Sequence, residues 1–331
     1  MDEASSKFVD QLAIEKLIAE KISTAHHRPS RIEPDLFVPA FAAMRAPIVR
    51  EAAPPCSSAE SIVHLRSPIG SGFPENDTIP VRIFDSTNGV SGIVLLVHGL
   101  YEDNRAMYGF FVRELNRLGY TVYLTTLPYH HERTPLSARF SGDLFLSADL
   151  SRTKQAFVQA VLDVRSVHTW IQAHASVPVY AVGFSMGGTV VLAAAGADET
   201  IRGAAVVNPA AVLSDVIWTS PLCATIKADL LNGGWVKETV DGVFDTFDPY
   251  RMPVSPEVSQ KILCIYGLYD QITRRDQYEA LIRKWRFPEV LEYKAGHLNT
   301  LKVPRFALDL GRFFDGLSHV VDAASVAGSI P

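Results

Sequence analysis

The run Gly183-Phe184-Ser185-Met186-Gly187-Gly188 sets a serine among glycines, directly after the apolar Pro178–Val182 and ahead of the small, apolar, helix-like Thr189–Ala195. Strand, tight turn and helix in that order lift a serine hydroxyl above a sheet. Glycines at the flanking positions remove the Cβ atoms that would collide in such a turn. A helix beginning near Met186 adds partial positive charge where negative charge would develop. The alternative is a glycine-rich structural turn with no chemistry.

A serine hydroxyl is a weak nucleophile at neutral pH, so a catalytic Ser185 needs a base and a group to orient that base. Of the ten histidines, His297 has the right setting. It stands in Lys294-Ala295-Gly296-His297-Leu298, after the strand-like Val290–Tyr293 and before a helix carrying Phe306, Leu310 and Phe313. Tyr266-Gly267-Leu268-Tyr269-Asp270 puts an acid directly after another strand, with Asp215 in reserve. Taken singly, His297 also reads as a surface-loop histidine, and Asp270 as a helix N-cap for which Thr273 competes. Acyl transfer further needs backbone N–H groups aimed at the tetrahedral oxygen. Met186, next after the nucleophile, supplies one by position. Leu100, in His98-Gly99-Leu100-Tyr101 after an apolar strand, is the other candidate, with His98 fixing that loop rather than acting as a base.

These residues must be held by strand ends. Continuous apolar runs at Ile93–Val97, Thr121–Leu124, Val179–Val182, Ala204–Val207 and Ile262–Tyr266 suit strands covered on both faces. Helical patterns lie between most of them, notably Leu150, Phe157, Val161, Val164, His168 and Ile171 on one face. Asn104 caps a further helix carrying Met107, Phe111, Leu115 and Leu118, which Gly119 stops. Alternation of this kind predicts an α/β fold with a mainly parallel sheet and helices on both faces. Two more strand-like runs, Ser61–Arg66 and Ile79–Phe84, precede it.

Through LLVHGLYED, GFSMGG, YGLYDQIT and AGHLN, the chain resembles the α/β-hydrolase superfamily over roughly Ser61 to Gly316. The chain order Ser, Asp, His is the order of that superfamily's triad. The resemblance implies Ser185 as nucleophile, Asp270 as acid, His297 as base, and Leu100 with Met186 as oxyanion donors. It is esterase- and lipase-like. Leu100 after Gly99 implies the simpler HG-x oxyanion loop in place of HGGG, and the serine excludes the aspartate-nucleophile branch of dehalogenases and epoxide hydrolases.

The expected reaction is therefore hydrolysis of a carboxylic ester through an acyl-enzyme, without cofactor or metal. Alternatives are a thioesterase, a peptidase or a lyase on the same fold, or a ligand-binding protein that has lost catalysis. Substrate signals are thinner. In Pro128-Tyr129-His130-His131-Glu132-Arg133-Thr134-Pro135, the side chains His130, His131 and Arg133 are candidates to hold a carboxylate or phosphate, against a His-His-Glu metal site of irregular spacing and a loop merely locked by its prolines. Residues from about 209 to 259 break the alternation. Trp218 and Trp235 there suggest an inserted helical lid lining an apolar pocket, or a surface insertion with its own small core.

The chain has 331 residues, 47% hydrophobic, with 31 basic and 36 acidic side chains giving a net charge of −5. That excludes disorder and gives no basic excess for nucleic acid. Cys56, Cys223 and Cys264 form neither a disulfide framework nor a zinc set. With no spanning run and no secretory leader, a soluble cytoplasmic protein is expected. Residues 1–60 are expected as an extension, with an amphipathic helix over 8–22 (Phe8, Leu12, Leu17, Ile18, Ile22) that packs on the body or on a second copy as a homodimer. A proline-broken wrap follows from Pro29 to Pro55, then the catalytic domain over 61–316 and a tail over 317–331.

Overall fold

Among the described residues, every strand-like run joins one sheet: β1 (Ser61–Arg66), β2 (Thr78–Phe84), β3 (Gly92–Val97), β4 (Tyr120–Thr125), β5 (Val179–Phe184), β6 (Ala204–Val207), β7 (Ile262–Gly267) and β8 (Glu289–Tyr293). The computed structural model describes residues 2–30, 61–210, 212–245 and 247–327, those after 317 as backbone only. Strand order is β1-β2-β4-β3-β5-β6-β7-β8. β2 pairs antiparallel with β1 and β4, and all later pairings are parallel. β3, β5, β6 and β7 are buried along their whole length, which is why they read as unbroken apolar runs. Being parallel, they all release the chain at one edge, after Val97, Phe184, Val207 and Gly267.

The helices are α1 (Glu3–Glu20), α2 (Gly109–Arg117), α3 (Leu150–His174), α4 (Met186–Ala197), α5 (Leu213–Thr219), α6 (Ala224–Asn232), α7 (Lys237–Phe244), α8 (Pro256–Ser259), α9 (Arg275–Trp285) and α10 (Phe306–Ala327). One face of the sheet packs on Phe157 and Val161 of α3, Val190 of α4 and Leu281 of α9; the other packs on Phe111 and Leu115 of α2 and on Phe306 and Leu310 of α10. Burial of each such side chain contributes about 1.5–3 kcal/mol. Asn104 Oδ1 accepts from Ala106 N–H at 3.0 Å, and a short 3-10 turn then leads into α2. Gly119, at φ +89°, ends that helix, as its freedom in the left-handed region allows. The described residues between 209 and 259 supply α5 to α8.

The N-terminal helix departs from its expected form. It starts earlier, at Glu3, with Asp2 accepting from Ser5 N–H at 2.8 Å, and its buried residues are Ser6, Asp10 and Ile14. Phe8 and Leu12 point outward, 65% and 54% exposed. The stripe is split: its far end, at Leu17 and Ile22, meets the body, while near Asp10 the docking surface is made of loops whose backbone N–H groups take a carboxylate. At the other end, no glycine or proline falls between 317 and 327, and the helix α10 runs through residues expected as a tail. The wrap expected beyond Pro29 lies, after Ser30, outside the described residues, as does Cys56. No described helix is long and apolar enough to cross a membrane.

Candidate active site

Ser185 sits between the last residue of β5 and the first of α4, at φ +53° and ψ −121°. A non-glycine residue held there costs about 1–3 kcal/mol. The surroundings hold it: its N–H donates to Val207 O at 2.8 Å, and its carbonyl accepts from Thr189 N–H at 3.1 Å. A Cβ at Gly183 would strike the backbone of Gly187, and one at Gly187 would strike the carbonyls of Val97 and His98. Those glycines let the serine turn press against the end of β3, beside the loop that begins at His98.

His297 follows β8. Its Nδ1–H donates to Asp270 Oδ2 at 2.6 Å, and both side chains are 2% exposed. This bond leaves Nε2 as the free, basic nitrogen. The other oxygen of Asp270 accepts from Ile272 and Thr273 N–H at 2.7 and 2.9 Å, and Tyr278 Oη–H donates to Oδ2 at 2.6 Å. The carboxylate therefore fixes its own turn while orienting the imidazole, and α9 begins only at Arg275. Asn208, fully buried at φ +46°, ties the two loops: its Nδ2 donates to His297 O at 2.8 Å, and its Oδ1 accepts from Gly267 N–H at 2.8 Å. Burial works against the His297 imidazolium, but the carboxylates of Asp270, Asp10 and Glu102 outweigh it and raise its pKa above the ordinary histidine value.

Ser185, Met186, Leu100 and His297 line one cavity of about 310 Å³. Neither the Leu100 nor the Met186 N–H has an acceptor among the described residues. The intervening loop is braced: Gly99 N–H donates to Glu102 Oε1 at 2.8 Å, and Tyr108 Oη–H donates to the same oxygen at 2.6 Å. Burial pushes the Glu102 carboxyl up to about 7. His98 fixes the loop with both ring nitrogens, donating from Nδ1 to Gly99 O at 2.7 Å and accepting Leu127 N–H on Nε2 at 3.1 Å. From the helical insertion, Val216, Leu222 and Cys223 reach the cavity, and burial pushes the Cys223 thiol up to about 12.

The expected substrate contacts are placed elsewhere. His130 is fully buried, donating to Pro128 O at 2.8 Å and accepting Tyr101 N–H at 3.2 Å. Arg133, also fully buried, donates to the carbonyls of Asn76 and Thr126 and pairs with Asp163 at 2.8 Å. Both brace the loop from within, since a buried guanidinium needs partners for all its donors. His131 packs edge-on against His98, off the cavity wall. Trp218 carries Lys227 over its ring at 5.6 Å, and Trp235 lines a separate hollow with residues 26–30. Asp215 pairs with Lys237 at 2.9 Å, away from His297. Glu132 binds Arg82 and Arg105, so His-His-Glu does not converge. His98, Glu102 and His131 do bring ligand atoms within 4.8 Å of one another, but the ring nitrogens of His98 are already committed, leaving two donors where zinc takes at least three.

A family model described as the α/β hydrolase fold matches residues 92–254. The chain has the α/β-hydrolase fold. Solved structures agree. Est1E from Butyrivibrio proteoclasticus is 13% identical with a TM-score of 0.52, covering 79% of this chain and 100% of its own. TT1662 from Thermus thermophilus is 17% identical at 0.51, covering 72% and 93%. A soluble variant of monoglyceride lipase from Saccharomyces cerevisiae, solved with a substrate analogue, is 14% identical at 0.50, covering 83% and 96%. No curated protein sequence matches the chain. In this α/β-hydrolase-fold chain, four further residues shape the site. Glu102 lies within LLVHGLYED, and Asn208 directly follows a strand, so both carry a positional signal in the sequence. Tyr278 and Asp10 carry none.

Proposed function

We propose that the chain is a serine hydrolase that cleaves a carboxylic ester by acyl transfer. His297 Nε2 takes the proton of Ser185 Oγ, which attacks the ester carbonyl. The N–H groups of Leu100 and Met186 take up the oxyanion charge. His297 then protonates the departing alcohol, and water repeats the sequence to release the acid and free Ser185. Asp270 stays ionised throughout and stabilises the imidazolium. The observation that carries this reading is the buried His297–Asp270 pair opening onto the same cavity as the strained Ser185 turn. The apolar wall, with Leu17, Leu100, Val216 and Leu222, favours an acyl or alcohol group without charge. The helical insertion acts as part of a lid. A cytoplasmic setting fits the buried, free thiols of Cys223 and Cys264.

The test is capture of Ser185 by a fluorophosphonate probe, with turnover of p-nitrophenyl esters of graded chain length run beside a thioester and an aminoacyl anilide. Labelling at Ser185 and preference for an ester are expected. An unlabelled Ser185 overturns the reading, and faster turnover of the thioester or anilide replaces the substrate class.

A further inference from the structure

The N-terminal helix reaches into the machinery around His297. Asp10 of α1 is fully buried. Its Oδ2 accepts His297 N–H at 2.6 Å and Gln271 N–H at 3.2 Å, and its Oδ1 accepts Leu298 N–H at 3.1 Å. One carboxylate thus joins the loop after β8, which carries His297, to the loop after β7, where Gln271 follows Asp270. The fit is close, since a Cβ at Gly296 would lie 2.7 Å from Asp10 Oδ2 and 2.8 Å from Ser6 O. Further along α1, Ala13, Lys16 and Leu17 form cavity wall. The far end is pinned by buried Lys21, whose Nζ donates to Tyr101 O at 2.9 Å and pairs with Asp103 at 2.6 Å. The helix therefore bridges the base loop and the oxyanion loop across the mouth of the site.

We infer that Asp10 is a positioning residue for catalysis: it holds the His297 and Asp270 loops in register and adds a negative charge beside the imidazole, making α1 an integral wall of the active site. This rests on Ser185 and His297 as nucleophile and base. The groups facing His297 are Asp270 from the acid loop, Asp10 from α1 and Glu102 from the oxyanion loop; Tyr278 reaches it through Asp270, and Lys16, Glu20, Lys21 and Asp103 line the cavity around it. Burial raises the Asp10 carboxyl, while the N–H groups of His297 and Leu298 draw it back toward the ionised form. Its charge in turn favours the His297 imidazolium. Removing that charge makes His297 deprotonate at lower pH.

The experiment compares the full chain with Asp10→Asn, measuring fluorophosphonate labelling of Ser185 and the pH profile of kcat/KM on a p-nitrophenyl ester. In Asp10→Asn, kcat/KM is expected to fall about tenfold to a hundredfold, as for a misplaced catalytic group, and the acid limb to move to lower pH. A purely structural role would lower the rate without moving the limb. Where Asp10→Asn does not unfold cooperatively, Gly296→Ala crowds the same carboxylate from the other side and should move the limb in the same direction. An unmoved acid limb in the folded variant overturns the inference. Failure of the wild-type chain to label at Ser185 sinks the hydrolase reading instead, so the two failures are told apart.

Discussion

The serine turn and the N-terminal helix meet at the same cavity but are built in opposite ways. The turn is local: five consecutive residues, a strand before and a helix after, with glycines wherever a Cβ would collide with Gly187, Val97 or His98. The helix is remote, and its contact with His297 N–H spans 287 positions of sequence. The turn is strained, and buried neighbours on β3 and β6 hold it. The helix is attached largely through polar contacts, a carboxylate midway along it and an ammonium just past its C-terminal end. A site assembled this way has a rigid floor set by backbone geometry and a wall set by a few directional bonds. Such bonds give way more readily than a packed core.

The sharpest way to break this comparison is Ser185→Ala, which removes the proposed nucleophile and relieves no collision. Ester turnover should fall about 10⁴- to 10⁶-fold, with the unfolding midpoint in denaturant within a small shift of wild type. Undiminished hydrolysis would move the chemistry off the floor altogether. Gly187→Ala attacks the floor directly. Its methyl meets two backbone carbonyls that cannot move without displacing β3, so a loss of about 1–3 kcal/mol or more is expected in chemical unfolding, together with loss of activity.

The wall is tested more gently. Lys21→Met leaves the buried end of α1 without its bonds to Tyr101 O and Asp103, at an expected cost of about 1–3 kcal/mol. It should raise KM more than it lowers kcat, because the helix lines the cavity at Lys16 and Leu17 without touching the reacting atoms. Equal loss in both parameters would mean that the Lys21 end also positions the oxyanion loop. In the proposed mechanism the working base is neutral His297, whose pKa is raised, so kcat/KM of the wild-type chain should climb with pH through a midpoint above the ordinary histidine value of 6.5. A midpoint at or below that value would mean that burial, which opposes the imidazolium, prevails over Asp270, Asp10 and Glu102. The smallest effect is expected for Phe8→Ser on the outward face of α1, within about 0.5 kcal/mol and without change in mass by light scattering. Dissociation of a dimer by that substitution would instead give the exposed stripe a partner.

The legibility of the sequence follows the same division. The four central strands β3, β5, β6 and β7 are readable because a strand covered on both faces has to be apolar throughout, as in Gly92–Val97 and Ile262–Gly267. Ser185, Asp270 and His297, the proposed triad, stand out in the sequence because residues of their types fall just after strands. The loop from Pro128 to Pro135 misled: His130 and Arg133 have the chemistry of anion binders but spend it within their own chain, His130 on Pro128 O and Tyr101 N–H and Arg133 on buried carbonyls and Asp163. The helix α1 misled in the reverse sense. Its hydrophobic spacing suggested a packing face through Phe8 and Leu12, whereas the face that packs carries Ser6, Asp10 and Ile14. Periodicity assumes an apolar surface underneath, and here the surface offers unpaired N–H groups.

Sequence alone determined the strand and helix order, the serine turn with its glycines and the places of Asp270 and His297 after their strands, because each depends on neighbours in the chain and on backbone sterics. The tertiary structure decided which carboxylate braces the histidine loop from behind, that Glu102 and Asn208 stitch the site together, and that the first helix walls the cavity. Those are matters of which donors remain unpaired once the sheet has formed, and a side chain's own neighbours carry no record of a donor nearly three hundred residues away.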